Sequence, residues 1–118
     1  MIIDMHELGV VFHIIKSVKK IAEENQLSEI AAVTVEVGEV SSVIPSYLTD
    51  CWKWATDKEA LFRGSKLEIE KIEGVTYCEG CGETYSTVTY GKVCPYCKSE
   101  HTYLLQGNEF NIKEIEAC

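Results

Sequence analysis

The sequence predicts an α+β fold: a small mixed sheet packed with two helices, plus a zinc-ribbon-like lobe inserted between two sheet strands. Three observations support this. Apolar residues recur at spacings of three and four near the N-terminus, and they alternate with polar residues in later segments. Four of the six cysteines form two C-x2-C pairs.

Leu8, Val11, Phe12, Ile15, Val18 and Ala22 form an apolar stripe that Ile14 and Ile21 widen. Lys16, Lys20, Glu23 and Glu24 fill much of the opposite side, so residues from about 8 to 25 read as an amphipathic helix. Asn25-Gln26-Leu27-Ser28 interrupts it. Val33, Val35 and Val37 alternate with Thr34 and Glu36, as in a half-buried strand ending at Gly38. Pro45 suits the first turn of a second helix, in which Leu48, Cys51, Trp52 and Ala55 share a face. Gly64 marks the exit, and Leu67 and Ile69 alternate with Glu68 and Glu70 as a second strand. After the cysteine segment, Gly107-Asn108 signals a turn or bulge, and Phe110 and Ile112 resume strand alternation. The expected organisation is an α/β domain from 1–74 and 107–118 with a metal-binding domain at 75–106. Glu73-Gly74-Val75 is the expected outgoing connection, and Gln106-Gly107 the return.

Cys78-Glu79-Gly80-Cys81 and Cys94-Pro95-Tyr96-Cys97 can bring four thiolates around one tetrahedral ion, a closed arrangement of structural type. Gly80, Gly82 and Pro95 suit tight turns that bring amide N–H groups to the sulfurs. The competing reading, two disulfides, does not suit an intracellular chain. The segment has only Val88, Val93, Leu104, Leu105 and several tyrosines to bury, so metal is expected to supply its stability.

Composition narrows the function classes. With 46 % apolar and 25 % charged residues the chain has a globular composition, and it has no apolar run long enough to span a membrane. No cationic leader precedes an apolar stretch, since Asp4, His6 and Glu7 interrupt the hydrophobics; the cytoplasm is the expected compartment. The net charge is −8, and acidic residues outnumber basic ones in each of the segments 1–77, 78–106 and 107–118. That argues against nucleic acid as a partner. There is no G-x-x-x-x-G-K-[ST] nucleotide loop.

Met5-His6-Glu7, expected just ahead of the first helix, has two readings. An imidazole beside main-chain nitrogens can form a square-planar site for Ni(II) or Cu(II). Alternatively, Asp4 as N-cap with Glu7 three residues on resembles a capping box.

Taken in order, Met5-His6-Glu7, Val37-Gly38-Glu39, the two cysteine pairs and Gln106-Gly107-Asn108-Glu109 closely resemble the HypA/HybF family of hydrogenase-maturation nickel metallochaperones. The resemblance runs from Met5 to about Glu116. It implies structural Zn(II) at Cys78, Cys81, Cys94 and Cys97, and Ni(II) as transient cargo at Met5, His6 and Glu7. It implies a non-enzymatic carrier, monomeric or homodimeric, that works with a HypB-type GTPase. Delivery would be to the [NiFe]-hydrogenase large subunit or its maturation complex, and in some members toward urease. The chain departs from the family pattern in two places. Met1-Ile2-Ile3-Asp4 precedes Met5, where family members offer a free amine to nickel, and translation is expected to start at Met5. Ile44 stands before Pro45 where relatives often carry an acidic residue, which weakens the case for a carboxylate from that loop.

His13 falls on the polar helix face and reads as solvated, and His101 as a surface-loop histidine. Cys51 reads as a small core group, and Cys118 suggests no role. Trp52 reads as core and Trp54 as a partner contact, since they cannot share a helix face. The chief rival function is a rubredoxin-like iron electron-transfer protein, because four thiolates also hold iron. A zinc-ribbon nucleic-acid module conflicts with the acidic charge. A hydrolase conflicts with a four-thiolate shell that leaves no position for activated water.

Overall fold

The first helix, α1, spans Met5–Glu24 and is seated on Val11, Ile14, Ile15, Val18 and Ala22, all buried. The computed structural model describes residues 5–118, with Met5 described as backbone only. Met5-His6-Glu7 therefore forms part of the helix rather than a lead-in to it. The expected Asp4 cap and the 1–4 extension lie outside the described residues. Phe12 and Ile21, expected in the apolar stripe, are exposed; the stripe instead runs through Ile14. The helix ends in a reciprocal pair of bonds, Leu27 N–H to Ala22 O at 2.8 Å and Gln26 N–H to Glu23 O at 3.3 Å. Gln26 takes the left-handed position at φ 55° that such an ending requires.

Strand β1, Ile30–Gly38, is the middle strand of a three-stranded sheet, flanked by β2, Lys66–Ile72, and β6, Phe110–Ala117. The expected half-burial is therefore incomplete as a description. Val33, Val35 and Val37 are buried, but so are Ile30, Ala32 and Thr34 on the alternate positions. A central strand flanked on both sides is covered on both faces, and Thr34 Oγ1 bonds to Glu68 Oε2 of β2 at 3.3 Å. Helix α2, Pro45–Thr56, packs against α1 and buries Leu48, Cys51, Trp52 and Thr56. Pro45 occupies its first turn, as its fixed φ favours. A 3-10 turn at Ala60–Phe62 then places Phe62 edge-on to Trp52, ring centroids 5.5 Å apart, completing the core. No periodicity in the sequence marked Phe62 as core.

A second three-stranded sheet is antiparallel throughout, in the order β4 (Thr84–Ser86), β3 (Val75–Cys78), β5 (Thr102–Gln106). A single turn of helix, α3 at Thr87–Tyr90, follows β4, with Ser86 accepting from Thr89 N–H. The core of this lobe is small: Cys78, Tyr85 and Cys94 form its buried apolar cluster. Val88, Val93, Leu104 and Leu105 all remain exposed. Two of the three core members are thiols, so a bound ion would sit where a larger domain would place aliphatic side chains.

The chain divides into two compact units, one of residues up to 35 with 43–70 and 111–118, the other of residues 36–42 with 71–110. In the second unit three glycines allow backbones to meet. A Cβ on Gly38 would lie 2.0 Å from Gly107 O, and one on Gly107, at φ 116°, would lie 2.5 Å from Gly74 Cα. Glu109 supports this crossing: its carboxylate accepts from Gly107 N–H and Asn108 N–H, while its carbonyl accepts from Gly38 N–H. The Gly107 amide, followed by the other nearby main-chain donors, outweighs burial and holds this carboxyl below its usual range. Glu39 is lowered in the same way, first by Gly74 N–H and then by Lys71.

Candidate functional site

The two cysteine pairs sit on turns with the same hydrogen-bond scheme. In the first, Gly82 N–H bonds to Cys78 O and Cys78 N–H to Glu83 O, each 2.9 Å. In the second, Lys98 N–H bonds to Cys94 O at 2.9 Å and Cys94 N–H to Ser99 O at 3.0 Å. The residue after each second cysteine takes a left-handed conformation, Gly82 at φ 77° and Lys98 at φ 64°. Gly82 announced that geometry in the sequence. Lys98 did not, because a lysine gives no conformational signal. Gly80 keeps the first turn close to the second: a Cβ there would meet Ser99 Cβ at 3.1 Å and Cys97 Sγ at 3.4 Å.

These turns bring the Sγ atoms of Cys78, Cys81, Cys94 and Cys97 within 4.8 Å of one another. Cys78 and Cys97 are 3.5 Å apart, and Cys81 and Cys94 are 3.7 Å apart. Tetrahedral coordination at a Zn–S distance of about 2.3 Å requires sulfurs roughly 3.8 Å apart, so the donor set fits such an ion. A disulfide, with sulfurs about 2.05 Å apart, does not match these separations. Cys78 and Cys94 are fully buried and Cys81 and Cys97 exposed, so the site has one closed side and one open side.

Close approach of the thiols shifts the acidities of Cys81, Cys94 and Cys97 in different directions. For Cys81, the Glu83 N–H favours the thiolate, but burial and the neighbouring thiols of Cys94, Cys97 and Cys78 outweigh it and push the pKa up to about 12. For Cys94, burial opposes ionisation, yet N–H groups of Cys97 and Tyr96 and the thiols of Cys81 and Cys78 bring the pKa down to about 7. Tyr96 N–H lies 3.4 Å from Cys94 Sγ. For Cys97, the Ser99 N–H favours the thiolate, but the Cys78 thiol and burial prevail and the pKa rises. A bound cation would favour the thiolate form at each of its ligands. His101 is exposed and stands outside this cluster.

At the other candidate site, the first turn of α1 carries His6 and Glu7. His6 is exposed, whereas Glu7 is only 2 % exposed. Glu7 Oε2 accepts from Ile44 N–H at 3.2 Å. Ile44 is the N-cap residue of α2 and has no capping side chain of its own, so Glu7 serves that helix start from α1. The sequence suggested Glu7 as a local cap or a ligand; it gave no sign of this long-range contact.

The four-cysteine lobe and the helix-and-sheet unit together define a small α+β protein whose clustered thiols fit a structural metal ion. The family model described as "Hydrogenase/urease nickel incorporation, metallochaperone, hypA" matches residues 5–117, and the chain belongs to the HypA family. Hydrogenase maturation factor HypA of Geobacter metallireducens is 30 % identical, with 95 % of this chain and 98 % of the relative covered. The protein of the same description from Trichodesmium erythraeum is 36 % identical, with 95 % of each covered. Among solved structures, a solution structure of HypA protein superposes with a TM-score of 0.71 at 26 % identity, covering 98 % of both chains. The Ni metallochaperone HypA from Helicobacter pylori gives 0.67 at 25 %, covering 94 % of this chain and 96 % of that one.

Proposed function

We propose that this chain is a non-enzymatic cytoplasmic nickel carrier for [NiFe]-hydrogenase maturation, with a permanent zinc ion at Cys78, Cys81, Cys94 and Cys97. Its cargo, Ni(II), binds at the Met5-His6-Glu7 turn, with the His6 imidazole and first-turn main-chain nitrogens as donors. The nickel-binding domain comprises 1–74 and 107–118, and the zinc domain 75–106. The observation that carries the reading is His6, exposed on the first turn of α1 in a chain of a nickel-incorporation family. N–H groups in a first helical turn precede the acceptors of their own helix, and a main-chain nitrogen beside the imidazole becomes a donor by releasing its amide proton to solvent as the Ni–N bond forms. Nitrogen donors in a square-planar set suit Ni(II) over zinc.

Glu7 plays a supporting part: its carboxylate, bonded to Ile44 N–H, holds the turn that presents His6. Energy coupling falls to a separate HypB-type GTPase, and the receiver is the hydrogenase large subunit or its maturation complex, with urease as a further client. The iron electron-transfer reading leaves α1, α2 and their sheet without a purpose; a red purified protein would favour it. Equilibrium dialysis against Ni(II) tests the nickel site. His6→Ala is expected to lower affinity at least tenfold while zinc content stays at one per chain, and unchanged nickel affinity rejects the assignment.

A further inference from the structure

The face shared by α1 and α2 carries two large aromatics that the fold leaves uncovered. Phe12 is 48 % exposed and Trp54 52 %, and their rings meet edge to face with centroids 6.5 Å apart. Single exposed apolar residues are ordinary, but these two are paired and border a concavity. A cavity of about 500 Å³ lies against them, lined by Ala55 and rimmed by Lys53, Asp57 and Lys58. A smaller one of about 270 Å³ shares Phe12 and Ala55, and Lys16, Lys19 and Glu59 rim it.

The charge around this groove is opposite to that of the chain. In a protein of net charge −8, four lysines here face two carboxylates. Lys19 pairs with Glu59 at 2.9 Å, whereas Lys16, Lys53 and Lys58 enter no ion pair among the described residues. An apolar groove with a cationic rim selects an apolar anchor flanked by acids, and an exposed tryptophan is the residue type that most often dominates such binding.

We propose that this groove docks an acidic segment of a partner protein. An aromatic or leucine side chain of the segment seats against Phe12 and Trp54, and its carboxylates lie along Lys16, Lys53 and Lys58. The proposal stands on this surface alone and does not depend on the nickel or zinc assignments.

The test selects a random twelve-residue peptide library on the metal-loaded full chain, with Trp54→Ala as counter-selection. Enriched peptides are expected to combine an aromatic or leucine with at least two acids. Their affinity should fall at least tenfold on Trp54→Ala or Phe12→Ala, and at least threefold on Lys53→Glu with Lys58→Glu. Raising salt from 50 to 500 mM should weaken binding to the parent chain but not to the charge-reversed variant. All four positions are substituted singly or as that pair, and circular dichroism verifies that each variant is folded. Enrichment of neutral or basic peptides, or absence of Trp54-dependent peptides, overturns the proposal. So does concentration-dependent self-association that Trp54→Ala abolishes, because the groove would then belong to a second copy of the chain.

Discussion

At the scale of single residues, the family-like motifs prove to be packing devices as much as ligand sets. Gly38 of Val37-Gly38-Glu39 and Gly107 of Gln106-Gly107-Asn108-Glu109 meet where no Cβ fits, and Glu109 satisfies the amides at that crossing. Gly107→Ala should therefore destabilise the protein by at least about 2 kcal/mol, since backbone cannot yield as a side-chain tip can. Gly64→Ala is the control: its φ is 72° but nothing lies near its Cβ, so a cost of about 1 kcal/mol is expected. Urea unfolding of both variants checks this, and equal losses would refute the role given to the crossing. These contacts join positions about seventy residues apart, so the sequence could show the motifs without showing what they touch.

At the scale of elements, what the sequence made legible follows from how local each signal is. The Leu8–Ala22 stripe and Pro45 were readable because helix periodicity and first-turn chemistry lie within a few residues. Burial on both faces of β1 was not readable, because it depends on the strands that flank it. Phe12 fits the helix period yet points beside Trp54, a distinction only the placement of α2 makes. The four cysteines were legible as one cluster from spacing alone, whereas the role of Lys98 as the counterpart of Gly82 required the folded turns. That equivalence makes a prediction. Lys98→Gly should raise the thermal stability of the metal-loaded protein by about 1 kcal/mol, while Gly82→Val should lower it by more than that. Calorimetry of the two variants decides, and a destabilising Lys98→Gly would show that the lysine side chain contributes more than its backbone strain costs.

At the scale of the whole molecule, the proposed function rests on a separation of donors. Soft sulfur is gathered in a lobe whose core is otherwise Tyr85, and nitrogen is presented on an exposed helical turn. Within a chain of net charge −8, the groove beside Phe12 and Trp54 gathers four lysines, which is the basis for proposing it as a point of attachment. Under the proposed function, that separation would let a single small chain keep one metal and release another. X-ray absorption at the zinc and nickel edges of one sample loaded with both ions tests it most directly. Zinc is expected to be surrounded by four sulfurs at about 2.3 Å, and nickel by nitrogen and oxygen with no sulfur in its shell. Nickel bound by sulfur, or zinc lacking it, would overturn the division of donors between the two sites.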